Sequence, residues 1–338
     1  MKSIVRKQKK YSLDLLINFE YINFERMNER SKLIIKLVAS HFLLVSGLLC
    51  GAMIVGIESF IILSIVQTVL LILFLAGYWE FMGKTFKCFF CCGIEFLIIL
   101  VIAIKLKTVD FETPSLCWIS SFVIAESYLL FLLIRIFIVI FKNDRLAVEI
   151  EFPLSNGQYM VTDGGNSKIS RLMNYHFHSE AHKRKKTNYS MLYATDIVQV
   201  KNSSKKFFPL TNEEYPIFGE KIFCPMEGEV VVLINSIDDN LPYSGNYPYN
   251  TGNTVVIQNP YYFILLGHLK KGSIKVKEGE SVKIGQLIGL AGNSGYSERP
   301  HLHLQLIKSN TGDYWKGDGI SMRFKNRNLF KNRLINIR

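Results

Sequence analysis

The stretch GHLKKGSIKVKEGESVKIGQLIGLAGNSGYSERPHLHLQL, residues 267–306, decides the fold of the second half of the chain. Short β-branched runs alternate in it with glycine and asparagine turns, a pattern typical of an all-β domain. Its last run places His301 and His303 two residues apart. Because side chains i and i+2 of a strand point to one face, we expect both imidazoles in one cleft and Leu302 and Leu304 packed on the opposite side.

The same alternation extends outward from this stretch, over runs such as AVEIEF, GQYMVT, YATDIVQV, GEVVVLI and NTVVIQN. We therefore predict an all-β sheet or sandwich over residues 142–338. The segment SIKVKEGESVKIG, residues 273–285, predicts a hairpin with its turn at the EGE sequence.

The first half of the chain has a different composition, dominated by Leu, Ile, Val and Phe. A membrane span needs about 20 apolar residues, and four candidate spans fit: Leu37–Gly56, Phe60–Tyr78, Phe89–Ile104 and Leu116–Phe141. We predict a basic tail over 1–32, a bundle of about four transmembrane helices over 33–141, and an overall α + β multidomain protein in the cell membrane. The lipid membrane explains much of the net charge of +12, so we predict no nucleic-acid partner.

Three ionisable residues, Glu95, Glu126 and Arg135, fall within the predicted spans. Such residues are costly in lipid and often functional. They are the support for a third interpretation of the chain, a transporter or immunity protein in which the β-domain is an accessory.

Six of the seven histidines cluster in three segments of the second half. His301 and His303 form one segment, His268 follows an apolar strand, and His176, His178 and His182 lie in NYHFHSEAH. Asp196 interrupts the apolar strand YATDIVQV, where a lone carboxylate needs a partner. Two histidines and one aspartate with an open position form a known catalytic zinc set, and additional histidines can move protons.

These motifs resemble the zinc metallopeptidases of the LytM/lysostaphin type, family M23. The resemblance includes the strand with HL, the V-x-x-G-x-x-V-x-x-G-Q-x-I-G pattern, G-N-S-G and P-H-L-H, and more weakly FCPMEGEVV and GNTVVI. It covers residues 147–325 and leaves the apolar half outside. It implies an antiparallel β-sandwich with a long groove above the sheet. It also implies the cleavage of peptide cross-links in peptidoglycan, or of a related peptide, with one Zn²⁺ per chain.

The resemblance also implies a role for each site residue. His303 and Asp196 correspond to zinc ligands, His301 to the catalytic neighbour of His303, and His268 to a second catalytic histidine that stabilises the oxyanion. The family usually has its first histidine ligand four residues before the aspartate, where this chain has Leu192.

A histidine of NYHFHSEAH must therefore complete the site. A subset of M23-like sequences resembles this arrangement, with N-x-H before a YAxD strand, so we choose His176 ahead of His178 and then His182. If none of the three reaches the metal, the alternative is a catalytically inactive M23-like domain that binds a partner or regulates one.

The predicted topology leaves one question open. A basic tail on the cytoplasmic side followed by four spans returns the β-domain to the cytoplasm, which holds no peptidoglycan. Cleavage of the wall requires three spans or an outside N-terminus.

Overall fold

The computed structural model describes residues 58–81, 83–108, 114–142, 146–177, 188–200, 209–245 and 250–338. The predicted basic tail and the first predicted span lie outside these residues, as do His178 and His182.

Among the described residues of the first half there are three long helices: α1 (Glu58–Ala76), α2 (Gly83–Thr108) and α3 (Leu116–Phe141). Ser115 caps the N-terminus of α3 by accepting a hydrogen bond from the Trp118 amide at 3.3 Å. Helices α1 and α3 pack side by side. Thr68 donates to Glu126, and Ile72 and Ala76 share a cluster with Leu133 and Ile136. The two helices therefore run in the same direction, and α2 runs back between their ends.

Two of the described helices, α1 and α3, are long and apolar enough to cross a membrane. They coincide with the second and fourth predicted spans. The third predicted span lies within α2, which has lysines near both ends and is not one of the two. The expectation of about four spans is therefore too high for the described part of the chain, which offers two such helices.

The three ionisable residues of the predicted spans have partners inside the protein. Gln67 donates to Glu95 at 2.9 Å, Thr68 donates to Glu126, and the Arg135 guanidinium donates to the Lys168 and Ile169 carbonyls. These contacts give each of the three residues a hydrogen-bond partner inside the protein.

The part of the second half that the structure describes contains fourteen strands: β1 (Val148–Glu149), β2 (Gly157–Asp163), β3 (Thr195–Gln199), β4 (Lys221–Phe223), β5 (Gly228–Ile234), β6 (Asn253–Gln258), β7 (Phe263–Leu269), β8 (Ser281–Val282), β9 (Leu287–Leu290), β10 (Leu302–Lys308), β11 (Asp318–Ile320), β12 (Met322–Phe324), β13 (Arg327–Asn328) and β14 (Leu334–Ile337).

Nine of these strands form one antiparallel sheet in the order β14-β2-β3-β10-β7-β6-β5-β8, with β11 paired to β10. The small sheets β4-β9 and β1-β12-β13 cover one face of it. Their residues Ile222, Ile288 and Phe324 share the main core with Leu302 and Leu304, which are fully buried as predicted. The layered, mostly antiparallel architecture agrees with the predicted sandwich, except that β1 pairs with β12 in parallel.

The predicted hairpin over residues 273–285 is wrong. Residues 273–277 lie outside the strands, β8 pairs with β5, and β9 pairs with β4. Alternating apolar residues here follow from packing into the core, where Ile274 and Val276 are buried. The same pattern can arise without a neighbouring strand, so periodicity alone did not distinguish the two arrangements.

The helices dock on the β-domain close to β2 and β14. Ile72, Ile136 and Val139 pack with Met173 in a shared cluster that also contacts Phe330. Arg135 adds its hydrogen bond to the Lys168 carbonyl at 2.9 Å. The two halves of the chain thus share buried apolar surface as well as polar contacts.

Candidate metal centre

Strand pairing brings the central pair of the site together. Asp196 of β3 lies directly opposite His303 of β10, and His303 lies opposite Gly267 of β7. Gly267 provides room here, because a Cβ at this position would lie 3.0 Å from the Thr251 Cβ and 3.4 Å from the His303 Cβ. The sheet therefore places His303 between Asp196 and the strand that ends in His268.

Three histidines surround the Asp196 carboxylate. His176 Nε2 lies 3.1 Å from Oδ2, His301 Nε2 lies 3.5 Å from Oδ2, and His303 Nδ1 lies 3.0 Å from Oδ1. All of them are buried, with His301 the most exposed at 8%. One donor atom each from His176, Asp196 and His303 lies within 4.8 Å of the other two.

The orientation of the His176 ring follows from Asn174. The Asn174 amide nitrogen donates to the Gly165 and Ala194 carbonyls, at 2.7 and 2.9 Å, which leaves its Oδ1 as an acceptor. This oxygen lies 2.9 Å from His176 Nδ1, so we assign the ring proton to Nδ1. The lone pair of Nε2 then points at Asp196.

Gln305 orients the His303 ring in the way that Asn174 orients the His176 ring. The Gln305 amide nitrogen donates to the Ser190 carbonyl and hydroxyl, at 2.8 and 3.0 Å, so its Oε1 is the acceptor that faces His303 Nε2 at 3.3 Å. We assign the ring proton of His303 to Nε2, and the lone pair of Nδ1 points at Asp196.

These assignments leave lone pairs of two imidazoles facing a carboxylate with no proton between them. Such an arrangement is repulsive unless a proton or a metal cation lies among the three atoms. Ligands of a tetrahedral zinc ion at its usual bond lengths stand about 3.4 Å apart, close to the separations within the site. Buried imidazoles oriented by outer hydrogen bonds are typical of zinc sites. The residues therefore fit a zinc ion and leave a coordination position open.

His301 and His268 lie beside this group. His301 Nδ1 donates to the Arg299 carbonyl at 2.8 Å, so its Nε2 is the unprotonated nitrogen toward Asp196. His268 Nδ1 donates to the Ser294 carbonyl at 2.7 Å, and its ring centre lies 4.6 Å from that of His301. His268 has a φ of 58°, an uncommon left-handed conformation for histidine that is often found at functional sites.

Burial and charge set the protonation of the site. Burial alone would raise the pKa of Asp196, but the positive charge that the His176 and His301 imidazoles carry when they are protonated holds it well below the usual range of an aspartate. Burial, together with the neighbouring His301 and His303, lowers the pKa of His268 well below its ordinary value. At neutral pH the carboxylate is therefore ionised and His268 is neutral.

The structure thus brings His176, Asp196, His268, His301 and His303 together, and of the three candidate histidines in NYHFHSEAH only His176 lies within the described residues. Sequence reasoning did not assign roles to Asn174, Gln305 or Arg299. For Gln305 a signal was present, because it continues the i, i+2 alternation of His301 and His303 onto the same face.

Two residues of the helical half also border the site. Tyr78 and Glu80, in the connection between α1 and α2, line a small cavity together with Asp196, Tyr296, Arg299 and His301. Glu80 is buried and forms an ion pair with Arg299 at 2.9 Å. No pattern in the sequence pointed to a contact between residues so far apart along the chain.

Comparison with known proteins places the site in a family context. Residues 216–314 match the model of Peptidase family M23, so the chain carries an M23 peptidase domain in this segment. The chain is 34% identical over 110 residues to a protein of Buchnera aphidicola described as an uncharacterized metalloprotease. That match covers 32% of this chain and 28% of the relative.

A second relative is the peptidoglycan DD-endopeptidase ShyA of Vibrio cholerae, 40% identical over 111 residues, with 30% of this chain and 23% of the relative covered. The chain therefore spans about a quarter of the length of these curated relatives. Among solved structures, a zinc-containing peptidase from Vibrio cholerae is 22% identical with a TM-score of 0.28, over 56% of this chain and 41% of that one.

The segment matched by the family model includes His268, His301 and His303. It begins after the other two residues of the site. Asp196 and His176 lie before residue 216. The relationship to the family therefore bears on His268, His301 and His303, and the contribution of Asp196 and His176 depends on the geometry described above.

Proposed function

We propose that the protein is a membrane-anchored zinc metalloendopeptidase that hydrolyses peptide cross-links of peptidoglycan or a related peptide. The observation that carries the proposal is the buried group of His176, Asp196 and His303, whose lone pairs converge on one point. The M23 match and the peptidoglycan DD-endopeptidase from Vibrio cholerae among the relatives support the substrate class.

His176, Asp196 and His303 would hold the zinc ion. Zinc held in this way acts as a Lewis acid and makes water a nucleophile at neutral pH. Proton transfer is assigned to side chains of the protein. His301 offers an unprotonated Nε2 and is placed to accept a proton from the attacking water.

His268 has a more restricted role than the resemblance alone implies. Because its Nδ1 already donates to Ser294, its Nε2 can accept a proton but cannot donate one while the ring is neutral. We infer that His268 stabilises an oxyanion only after it has taken up a proton. The nearby His301 ring is a source of that proton.

The membrane anchor is part of the same proposal. Only 17% of the most apolar part of α3 is buried, whereas the core helix of a soluble protein would be mostly buried. Large apolar side chains of α2 and α3 are exposed, including Phe96, Ile99, Ile124 and Phe141. A lipid environment would cover this surface. We place the tail at 1–32, the helical region at 33–141 and the peptidase domain at 142–338.

A second candidate function has one observation in its favour. All five site residues are at most 8% exposed, so the site is closed as it stands. A closed site suits an inactive M23-like module that binds or regulates a partner.

One experiment separates the two functions. The full chain would be purified in detergent, its zinc content measured, and the protein incubated with isolated peptidoglycan, with released peptides identified by mass spectrometry. We expect one zinc per chain, together with cleavage that a chelator abolishes and added zinc restores. Zinc without cleavage would favour the binding module, and a chain that takes up no zinc would refute the metal site.

A further inference from the structure

The connection between α1 and α2, residues 77–81, reaches across to the β-domain and is held there from both sides. Asn332 donates from its amide nitrogen to the Leu75 and Gly77 carbonyls, each at 3.0 Å. The Lys331 ammonium lies 3.7 Å from the centre of the Tyr78 ring. The connection is therefore attached to the segment just before β14.

Its other side is fixed to the helices. Trp79 is 5% exposed, packs against Phe90, and donates from Nε1 to the Leu73 carbonyl at 2.7 Å. Gly77 permits the turn, because a Cβ there would lie 2.6 Å from the Leu73 carbonyl oxygen. A connection held between two surfaces presents Glu80 in a defined direction.

Glu80 points at the site and ends on Arg299. The Glu80 side chain is 2% exposed and the Arg299 side chain 10%, with Oε1 and Nη2 2.9 Å apart. Burial raises the pKa of Glu80 despite the charges of Arg299 and Lys331. A buried pair of this kind is directional and leaves a costly unpaired charge when one partner is removed. The pair therefore restrains Arg299 more firmly than a surface contact would.

Arg299 in turn holds His301. Its carbonyl accepts hydrogen bonds from His301 Nδ1 and from the Ser297 hydroxyl, each at 2.8 Å. The first of these bonds places the His301 proton on Nδ1 and leaves Nε2 unprotonated. The position of the Arg299 backbone thus determines both the direction and the tautomer of His301.

We propose that Glu80 is a positioning residue for His301, so that the helical half of the chain completes the site of the β-domain. The restraint passes from Glu80 to the Arg299 guanidinium and from the Arg299 carbonyl to His301. This inference rests on the proposed function for its effect on turnover, whereas its effect on the His301 ring does not depend on activity.

The test compares Glu80→Gln and Glu80→Asp with wild type in the full chain. Glu95→Gln is the matched control, since Glu95 is a carboxylate of the helices that bonds to Gln67. Zinc content, the melting temperature, kcat and KM on peptidoglycan peptides, and the ¹⁵N chemical shifts of the His301 ring would be measured. A His301→Gln spectrum would assign the signals.

For Glu80→Gln we expect unchanged zinc content, a fall in kcat of about 10- to 100-fold with little change in KM, and loss of the single Nδ1-protonated tautomer of His301. Glu80→Asp keeps the charge and should recover part of kcat and of the tautomer even if Glu80→Gln fails to fold. Glu95→Gln should match wild type.

A wild-type kcat and tautomer in Glu80→Gln would overturn the proposal. So would a rise in kcat, which would show that the connection obstructs the site. If wild type itself cleaves nothing, the proposed function fails, and the tautomer shift in Glu80→Gln still decides whether Glu80 positions His301.

Discussion

His303 and Asp196 lie directly opposite each other in the antiparallel pairing of β10 with β3, and His303 Nδ1 lies 3.0 Å from Asp196 Oδ1. Residues paired across two strands hold their separation without help from loops. This pair therefore forms the rigid part of the proposed zinc site. His176 lies in an irregular segment outside the strands. Zinc binding by His176 is therefore the part of the proposed site that most needs a test.

Replacement of His176 by alanine should abolish stoichiometric zinc binding. The variant removes one of three ligands and leaves Asp196 and His303. His178→Ala and His182→Ala are the matched controls and should retain zinc. The measurement is metal content of the purified full chain after dialysis against trace zinc. Full zinc occupancy in His176→Ala would rule out this residue as the ligand.

Gln305→Leu should weaken zinc binding although Gln305 does not contact the metal position. The change removes the acceptor that holds the His303 proton on Nε2, and loss of such an outer contact typically lowers metal affinity about 10- to 100-fold. Competition with a zinc chelator would measure the affinity. Gln158→Leu is the control, because Gln158 makes a side-chain bond to Asn336 in an exposed position. Equal affinities in the two variants would contradict the assigned tautomer.

His301→Ala and His268→Ala should each lower turnover far more than zinc content. Neither residue is among the proposed ligands, and loss of a positioned acid or base typically costs about 100- to 10,000-fold in rate. Peptide release per bound zinc is the quantity to compare with wild type. A variant that loses zinc and activity in parallel would reassign that histidine to the metal.

The pH dependence of stability should carry a contribution from Glu80. Because burial raises the pKa of Glu80 in the folded protein, the folded chain keeps a proton that the unfolded chain releases above about pH 4.5. This contribution is fully present below that pH and is lost as pH rises through the folded pKa. Thermal unfolding of wild type and Glu80→Gln from pH 4 to 8 would measure it. The variant should show a flatter slope, and identical slopes would contradict the burial of an ionisable Glu80.

The peptidase domain should face the compartment that holds its substrate. If it acts on peptidoglycan, protease added to intact cells should cut within residues 142–338 and leave the helices membrane-bound. The control is the same treatment of permeabilised cells. Protection in intact cells and cleavage after permeabilisation would place the domain in the cytoplasm and exclude the cell wall as its substrate.

Local patterns in the sequence determined the composition boundary near residue 142, the strand that carries His303 with His301 directly before it, and the packing of Leu302 and Leu304. These features follow from the two-residue period of a strand and from the length of an apolar helix, which neighbouring residues alone decide. The hairpin over residues 273–285 failed for the same reason, since an alternating pattern reports burial and does not identify the partner strand.

Tertiary structure alone decided how the site is assembled. It brings His176 to Asp196 across twenty residues of chain, sets each imidazole tautomer through Asn174, Gln305 and Arg299, and joins Glu80 to Arg299 over a separation of 219 residues. Hydrogen bonds and ion pairs between distant segments depend on which surfaces the fold places together. No local propensity encodes that choice, because it results from packing the helices and the sheet against each other.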